Sequence, residues 1–258
     1  MLHQDEQARR LPWDGCSNAR DVGGYPIANG GLIPKQTLIR SDSLHRLTPQ
    51  ALAAIYDYGV RTVIDLRLAH ELERDPSPFP IQEPTAPLPR YLNLPMHDME
   101  TDALVDAADS TEAVYIMLLE RGKSYITSIV KAVAVGLQEG GVLVNCHSGK
   151  DRTGIIVALL LSVAGVPREA IDQDYALSEV MLEPRYQEWV QEQVKLHGRI
   201  PTKPRQAQTR PETMHAMLDY LDQQYGGVEG YLRAAGVTEA EIARIRDRLV
   251  TPRDRTSS

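Results

Sequence analysis

Apolar residues along this chain repeat with two periods, and the switches between them mark a succession of short strands and helices. Leu38-Ile-Arg reads as a short strand, and Thr48 then caps a helix over residues 48–58 that Gly59 ends. Pro49 suits its first position, where the missing N–H would have had no partner anyway. Val60-Arg-Thr-Val-Ile-Asp-Leu-Arg67 is β-branched and brief, as core strands are, and its polar end at Asp65 and Arg67 points to a strand C-terminus facing a site. Tyr91-Leu-Asn-Leu-Pro95 returns to the sheet. Residues 102–120 and 124–138 have helical spacing. Gly140-Gly141 breaks the chain before Val142-Leu-Val-Asn145, which has the pattern of a parallel strand buried on both faces. Residues 153–164 are apolar on nearly every side, which predicts a helix through the middle of a domain. Pro167 opens another helix, residues 183–197 are amphipathic and charged, and residues 211–225 and 239–249 complete a helical C-terminal part.

Breakers bound these elements. Residues 75–90 hold six of the seventeen prolines and read as an extended loop, and residues 198–208 as a second Pro-containing loop. Residues 1–12 and 251–258 are polar with little to bury, and are expected to be flexible tails of a single domain over 13–250. Alternating strands and helices predict an α/β fold with a central, mostly parallel sheet flanked by helices. A chain of 258 residues can bury a core of that size.

Composition narrows the partners. No run approaches the roughly 20 apolar residues of a membrane span, so no integral membrane segment is expected. The N-terminus has no apolar stretch behind its charges, unlike a secretory signal, and the expected address is the cytoplasm, with export by a route needing no signal peptide left open. A net charge of -7 opposes a nucleic-acid partner, which demands a clustered basic face. Any anion site must therefore be local. The two cysteines, Cys16 and Cys146, make neither a disulfide framework nor a zinc site.

The segment that carries chemistry is Val144-Asn-Cys146-His-Ser-Gly149-Lys-Asp-Arg152-Thr-Gly154, between a strand and a buried helix. Five residues separate Cys146 from Arg152. A loop of this length turned around an anion lets the N–H groups of His147, Ser148, Gly149, Lys150, Asp151 and Arg152 converge, and the following helix adds the positive end of its dipole. Gly149 lets the backbone approach closely or adopt positive φ, and the planar guanidinium of Arg152 can grip two phosphoryl oxygens at once. The same dipoles stabilise a thiolate on Cys146, the nucleophile for in-line attack on phosphorus. Thr153 is placed to hydrogen-bond the sulfur as it leaves. No cofactor or metal is called for. A free cysteine is most often a buried structural thiol, the reading kept for Cys16, but a core loop has no use for Lys150, Asp151 and Arg152 in a row.

These residues resemble the protein tyrosine phosphatase superfamily, whose active loop is Cys, five residues, Arg, then Ser or Thr. Cys-x-x-Gly-Lys-Asp-Arg-Thr-Gly is similar to the atypical bacterial branch related to mycobacterial PtpB. Asn18-Ala-Arg-Asp-Val-Gly-Gly-Tyr25, Ile39-Arg-Ser-Asp-Ser-Leu44 and Val63-Ile-Asp-Leu-Arg67 resemble three further segments of that family. The resemblance implies a cysteine-phosphatase fold and hydrolysis of phosphotyrosine, often also of phosphoserine, phosphothreonine or phosphoinositides, through a phosphocysteine intermediate. It implies Asp151 as the acid that protonates the leaving oxygen, where the wider superfamily draws an acid from a separate loop, here Asp98. Two positions depart from the pattern. Asn145 stands where most members have His, and Ala19 where the family has Phe.

Other roles stay open on the sequence. Lys150 is either an extra cation suited to a phosphoinositide headgroup or a solvated loop lysine. Asp65 and Arg67 either touch ligand or support the cradle. His147 lines the substrate rim or is a spectator. The 18–25 motif reads as a turn that buttresses the site, and the 183–197 segment as a lid or as a packed surface helix. A phosphorylated protein is the expected partner. A sulfurtransferase fits Arg152 and its Thr-Gly poorly, and a phospho-binding pseudophosphatase is favoured only by Asn145.

Overall fold

In parallel strands covered on both sides, successive side chains enter two different cores, so such strands need apolar residues at nearly every position. The computed structural model, which describes residues 8–28, 30–80, 87–105, 107–198, 200 and 208–250, shows this at the centre of the sheet. There Val142 and Val144 enter one hydrophobic cluster and Leu143 the other. Five strands form the sheet: β1 (Arg20–Asp21), β2 (Leu38–Ser41), β3 (Val60–Asp65), β4 (Arg90–Asn93) and β5 (Gly141–Asn145), in the order β1-β2-β5-β3-β4. β5 pairs in parallel with both β2 and β3, and β1 alone runs antiparallel. The C-terminal ends of β2, β3 and β5 therefore reach the same edge, where Ser41 and Asp65 flank Asn145.

Ten described helices surround the sheet: α1 (Pro49–Asp57), α2 (Ala69–Arg74), α3 (Met99–Val105), α4 (Thr111–Arg121), α5 (Lys123–Glu139), α6 (Asp151–Val163), α7 (Arg168–His197), α8 (Pro211–Tyr225), α9 (Val228–Ala235) and α10 (Glu239–Val250). α6 is buried from Thr153 to Leu161, which its apolar sequence dictates. Thr48 caps α1, its hydroxyl accepting the Ala51 N–H.

Two expectations change, and three short elements had none. The helix expected over 102–120 is two helices, because Ser110 starts a new one by accepting the Ala113 N–H. The segments opened by Pro167 and spanning 183–197 form the single helix α7, which carries Pro184 in its interior despite the lost hydrogen bond. The short elements β1, α2 and α9 had too few residues to show a period. Residues 75–80 and 87–89 are non-helical, as their prolines require, and Leu11 already donates to the Ala19 carbonyl. The expected loop at 198–208 lies outside the described residues except at 198, 200 and 208, as do residues 81–86, 1–7 and 251–258.

Candidate active site

Cys146 follows the last residue of β5 and is 2% exposed. The chain from Cys146 turns directly into α6, and Lys150, at the N-cap, provides no side-chain cap, so the first amides of α6 remain for an anion. The loop carbonyls are held from behind. His147 O accepts the Ser43 N–H at 2.9 Å, Ser148 O accepts Asn18 Nδ2 at 3.0 Å, and Gly149 O accepts Arg40 Nη2 at 2.7 Å. A trans peptide places each N–H opposite the preceding carbonyl, so the amides of Ser148, Gly149 and Lys150 turn to the other side as an anion nest. Gly149 has φ +67°, and a Cβ there would sit 2.3 Å from Ser41 O. Only glycine fits.

The 18–25 motif thus contacts the cradle directly. Behind it lies a charged core. Arg20 Nε and Arg40 Nη1 bind the two oxygens of Asp174 at 2.9 and 2.5 Å, and all three side chains are buried. Burial alone would raise the Asp174 carboxyl, but the two guanidinium charges and their hydrogen bonds hold it well below the usual carboxylate range. Arg20 Nη1 also bonds Asn18 Oδ1 at 2.5 Å, which aims the Asn18 amide nitrogen at the loop. Asp42 accepts the Ser17 and Asn18 N–H groups, with Arg185 Nη1 at 3.3 Å.

Arg152 is fixed by a residue that sequence reasoning missed. Glu71 on α2 takes Arg152 Nη1 at 2.5 Å and Nη2 at 2.7 Å, and also accepts the Leu68 N–H at 2.9 Å. Burial opposes its charge, yet Arg152 and the Leu68 amide hold the Glu71 carboxyl at about 2. A guanidinium has five N–H donors, so a carboxylate on the Nη1/Nη2 edge leaves the Nε edge to grip phosphate. The ordinary half of a capping box, Glu at the third helical position, was the signal available for Glu71, and it names a structural role only.

The remaining expected residues separate clearly. Lys150 is no solvated loop lysine: it is 2% exposed, with Nζ 2.6 Å from Asp151 Oδ1. The same Asp151 oxygen accepts the Tyr115 hydroxyl at 2.6 Å, and Tyr115 in turn accepts the Tyr175 hydroxyl at 2.8 Å. Thr153 is buried, and its Oγ1 has no partner. Both side-chain amide atoms of Asn145 are likewise buried without partners. Asp65 is tied to Arg67 at 2.7 Å and accepts the Tyr91 hydroxyl, while Arg67 reaches Asp75 O, so the pair braces the loop after β3 and neither lines a cavity at the cradle. The supporting role is the one these contacts favour. Asp98 caps α3 through the Thr101 N–H at 2.8 Å, which holds its exposed carboxyl below the usual range. Burial and the Asp42 charge push the Cys16 thiol to about 12, in keeping with a structural thiol.

Two cavities flank the cradle. One of about 460 Å³ lies between His147, Ser148 and Lys150 on one side and Leu182, Tyr186 and Trp189 of α7 on the other. The second half of α7 therefore roofs the cleft. Tyr186 and Trp189 lie with ring centroids 5.6 Å apart along its wall, and His147 faces this rim. The other cavity, about 160 Å³, lies beside Asp151 and Arg152, under His97 and α4.

A cysteine at the end of a central parallel strand, backed by a carbonyl-anchored loop, a helix N-terminus and a clamped arginine, defines a cysteine-dependent phosphatase. Residues 11–251 match the model of the tyrosine phosphatase family, and the chain belongs to that family. It is a hydrolase of phosphate monoesters. It is 32% identical over 232 residues to a tyrosine-protein phosphatase of Nostoc commune, covering 87% of this chain and 78% of that one. It is 30% identical over 282 residues to the triple specificity protein phosphatase PtpB of Mycobacterium tuberculosis, covering 92% and 97%. Among solved structures, TpbA of P. aeruginosa superposes with a TM-score of 0.37 at 20% identity, over 78% of this chain and 86% of that one. No described helix is long and apolar enough to cross a membrane.

Proposed function

We propose that this phosphatase acts on phosphotyrosine in proteins, with Cys146 as nucleophile. The observation that carries the reading is the anchoring of the loop carbonyls by Ser43, Asn18 and Arg40, which turns the intervening amides toward a phosphoryl group above Cys146. The thiolate attacks phosphorus in line, the ester P–O bond breaks, and the leaving oxygen takes a proton from Asp151. The amides and the free edge of Arg152 carry the equatorial charge. Thr153 Oγ1, buried and unpartnered, is available to the sulfur when water releases phosphate.

The wall formed by Tyr186 and Trp189 suits an aromatic leaving group, since aromatic faces and edges attract a further ring. A phosphoinositide preference had rested on Lys150 as a spare cation, and its pairing with Asp151 takes that support away. PtpB is named for triple specificity, which makes phosphoserine and phosphothreonine the proper comparison substrates. Phosphotyrosine, phosphoserine and phosphoinositide substrates compared by kcat/KM test the preference, and p-nitrophenyl phosphate tests the chemistry. Wild type should turn over and Cys146→Ser should not. Equal turnover by both proteins, or none by wild type, would sink the mechanism and leave a phospho-binding or sulfur-transfer protein.

A further inference from the structure

The two oxygens of the Asp151 carboxyl have unlike surroundings. Oδ1 takes both the Lys150 ammonium and the Tyr115 hydroxyl, each at 2.6 Å, whereas Oδ2 has no partner among the described residues. An ammonium can only donate, so a proton added to this carboxyl goes to Oδ2. Lys150 and Tyr115 are buried, while the Asp151 side chain is 33% exposed. The open part of the carboxyl is therefore its Oδ2 side, and Asp151 lines the smaller cavity beside Arg152. Of the two groups on Oδ1, Tyr115 is the rigid one. It stands on α4 and packs edge-on against Tyr175 of α7, with ring centroids 6.0 Å apart and planes at 83°, and it accepts the Tyr175 hydroxyl at 2.8 Å. Burial, and after it the Asp151 charge, push the Tyr115 hydroxyl well above its usual range, so it keeps its proton for Oδ1. Lys150 sits on a flexible four-carbon stem and can follow the carboxyl wherever it turns.

We propose that Tyr115 is a positioning residue for the acid: its hydroxyl holds Asp151 Oδ1 in place so that Oδ2 is presented to the leaving oxygen. This rests on the reading of Asp151 as that acid. Asp151 begins α6 next to Arg152, whose charge attracts it. Released from Tyr115, the carboxyl can turn to the guanidinium edge that Glu71 leaves open and compete there with phosphate. In the step that Tyr115 serves, a thiolate electron pair forms the S–P bond and the ester P–O bond breaks with its pair on the leaving oxygen. The proton of Oδ2 passes to that oxygen, and Tyr115 retains its own throughout.

Two substrates that differ in their leaving group separate positioning from a merely structural role. The leaving oxygen of phenyl phosphate needs a proton, that of dinitrophenyl phosphate almost none, and kcat/KM reports the steps up to its departure. Tyr115→Phe should lower kcat/KM about tenfold on phenyl phosphate and less than about twofold on dinitrophenyl phosphate. Asp151→Asn should show the same contrast at about 100-fold. Should Tyr115→Phe not fold, its combination with Tyr175→Phe, which leaves no buried hydroxyl short of a partner, carries the same expectation. Equal losses on both substrates, or no change on either, would overturn the assignment to Tyr115. A loss in Asp151→Asn that ignores the leaving group would instead overturn the acid reading beneath it.

Discussion

Replacing Glu71 with Gln tests how Arg152, the arginine proposed to grip phosphate, is held. The carboxylate takes both terminal nitrogens of Arg152, at 2.5 and 2.7 Å, and both partners are largely buried. Moving the Glu71 carboxyl from its ordinary 4.5 to about 2 corresponds to about 3 kcal/mol of coupling to the fold, which we reduce to about 2 kcal/mol for residual solvent screening. The amide keeps the shape but offers one accepting oxygen instead of two, turns an NH2 donor toward the other guanidinium nitrogen, and leaves the guanidinium charge uncompensated. Because the folded-state value is depressed, the contribution is complete above pH 4.5 and is lost as pH falls toward 2. Urea unfolding should therefore show Glu71→Gln about 2 kcal/mol less stable at pH 7, with the difference shrinking steadily at lower pH. With its plane no longer fixed, Arg152 should present its free edge poorly, and kcat/KM on p-nitrophenyl phosphate should fall tenfold or more. Wild-type kcat/KM together with an unchanged urea midpoint at pH 7 would refute the clamp.

Gly149→Ala places a Cβ 2.3 Å from Ser41 O at a positive φ, so it should cost at least about 1–2 kcal/mol in denaturant unfolding and weaken phosphate binding by calorimetry. Asp174→Asn leaves the buried charges of Arg20 and Arg40 short of a counter-ion, and should cost about 3–5 kcal/mol in chemical unfolding while releasing the loop carbonyl that Arg40 holds.

Much of this architecture is local and therefore legible. The β5 segment is apolar on both faces, α6 is apolar all round, and residues 211–225 carry their own proline start, so their neighbours in sequence suffice to specify them. Cys146 and Arg152 are legible for a related reason. Their spacing, with a glycine between and a helix after, is itself the geometry of the cradle. Side-chain pairing is another matter, since it depends on which surfaces come together when the elements pack. Glu71 meets Arg152 across 81 positions, and Asp174 meets Arg20 across 154, with no pattern in either segment to announce it. The same packing buried Lys150 against Asp151, committed Asp98 to a helix cap, and set the Tyr115 hydroxyl on Asp151. Sequence alone determined the proposed phosphate cradle, because it is a short contiguous loop. The tertiary structure decided which groups hold that loop, clamp its arginine and steady the carboxyl of Asp151, because those groups converge only at the shared edge of three parallel strands.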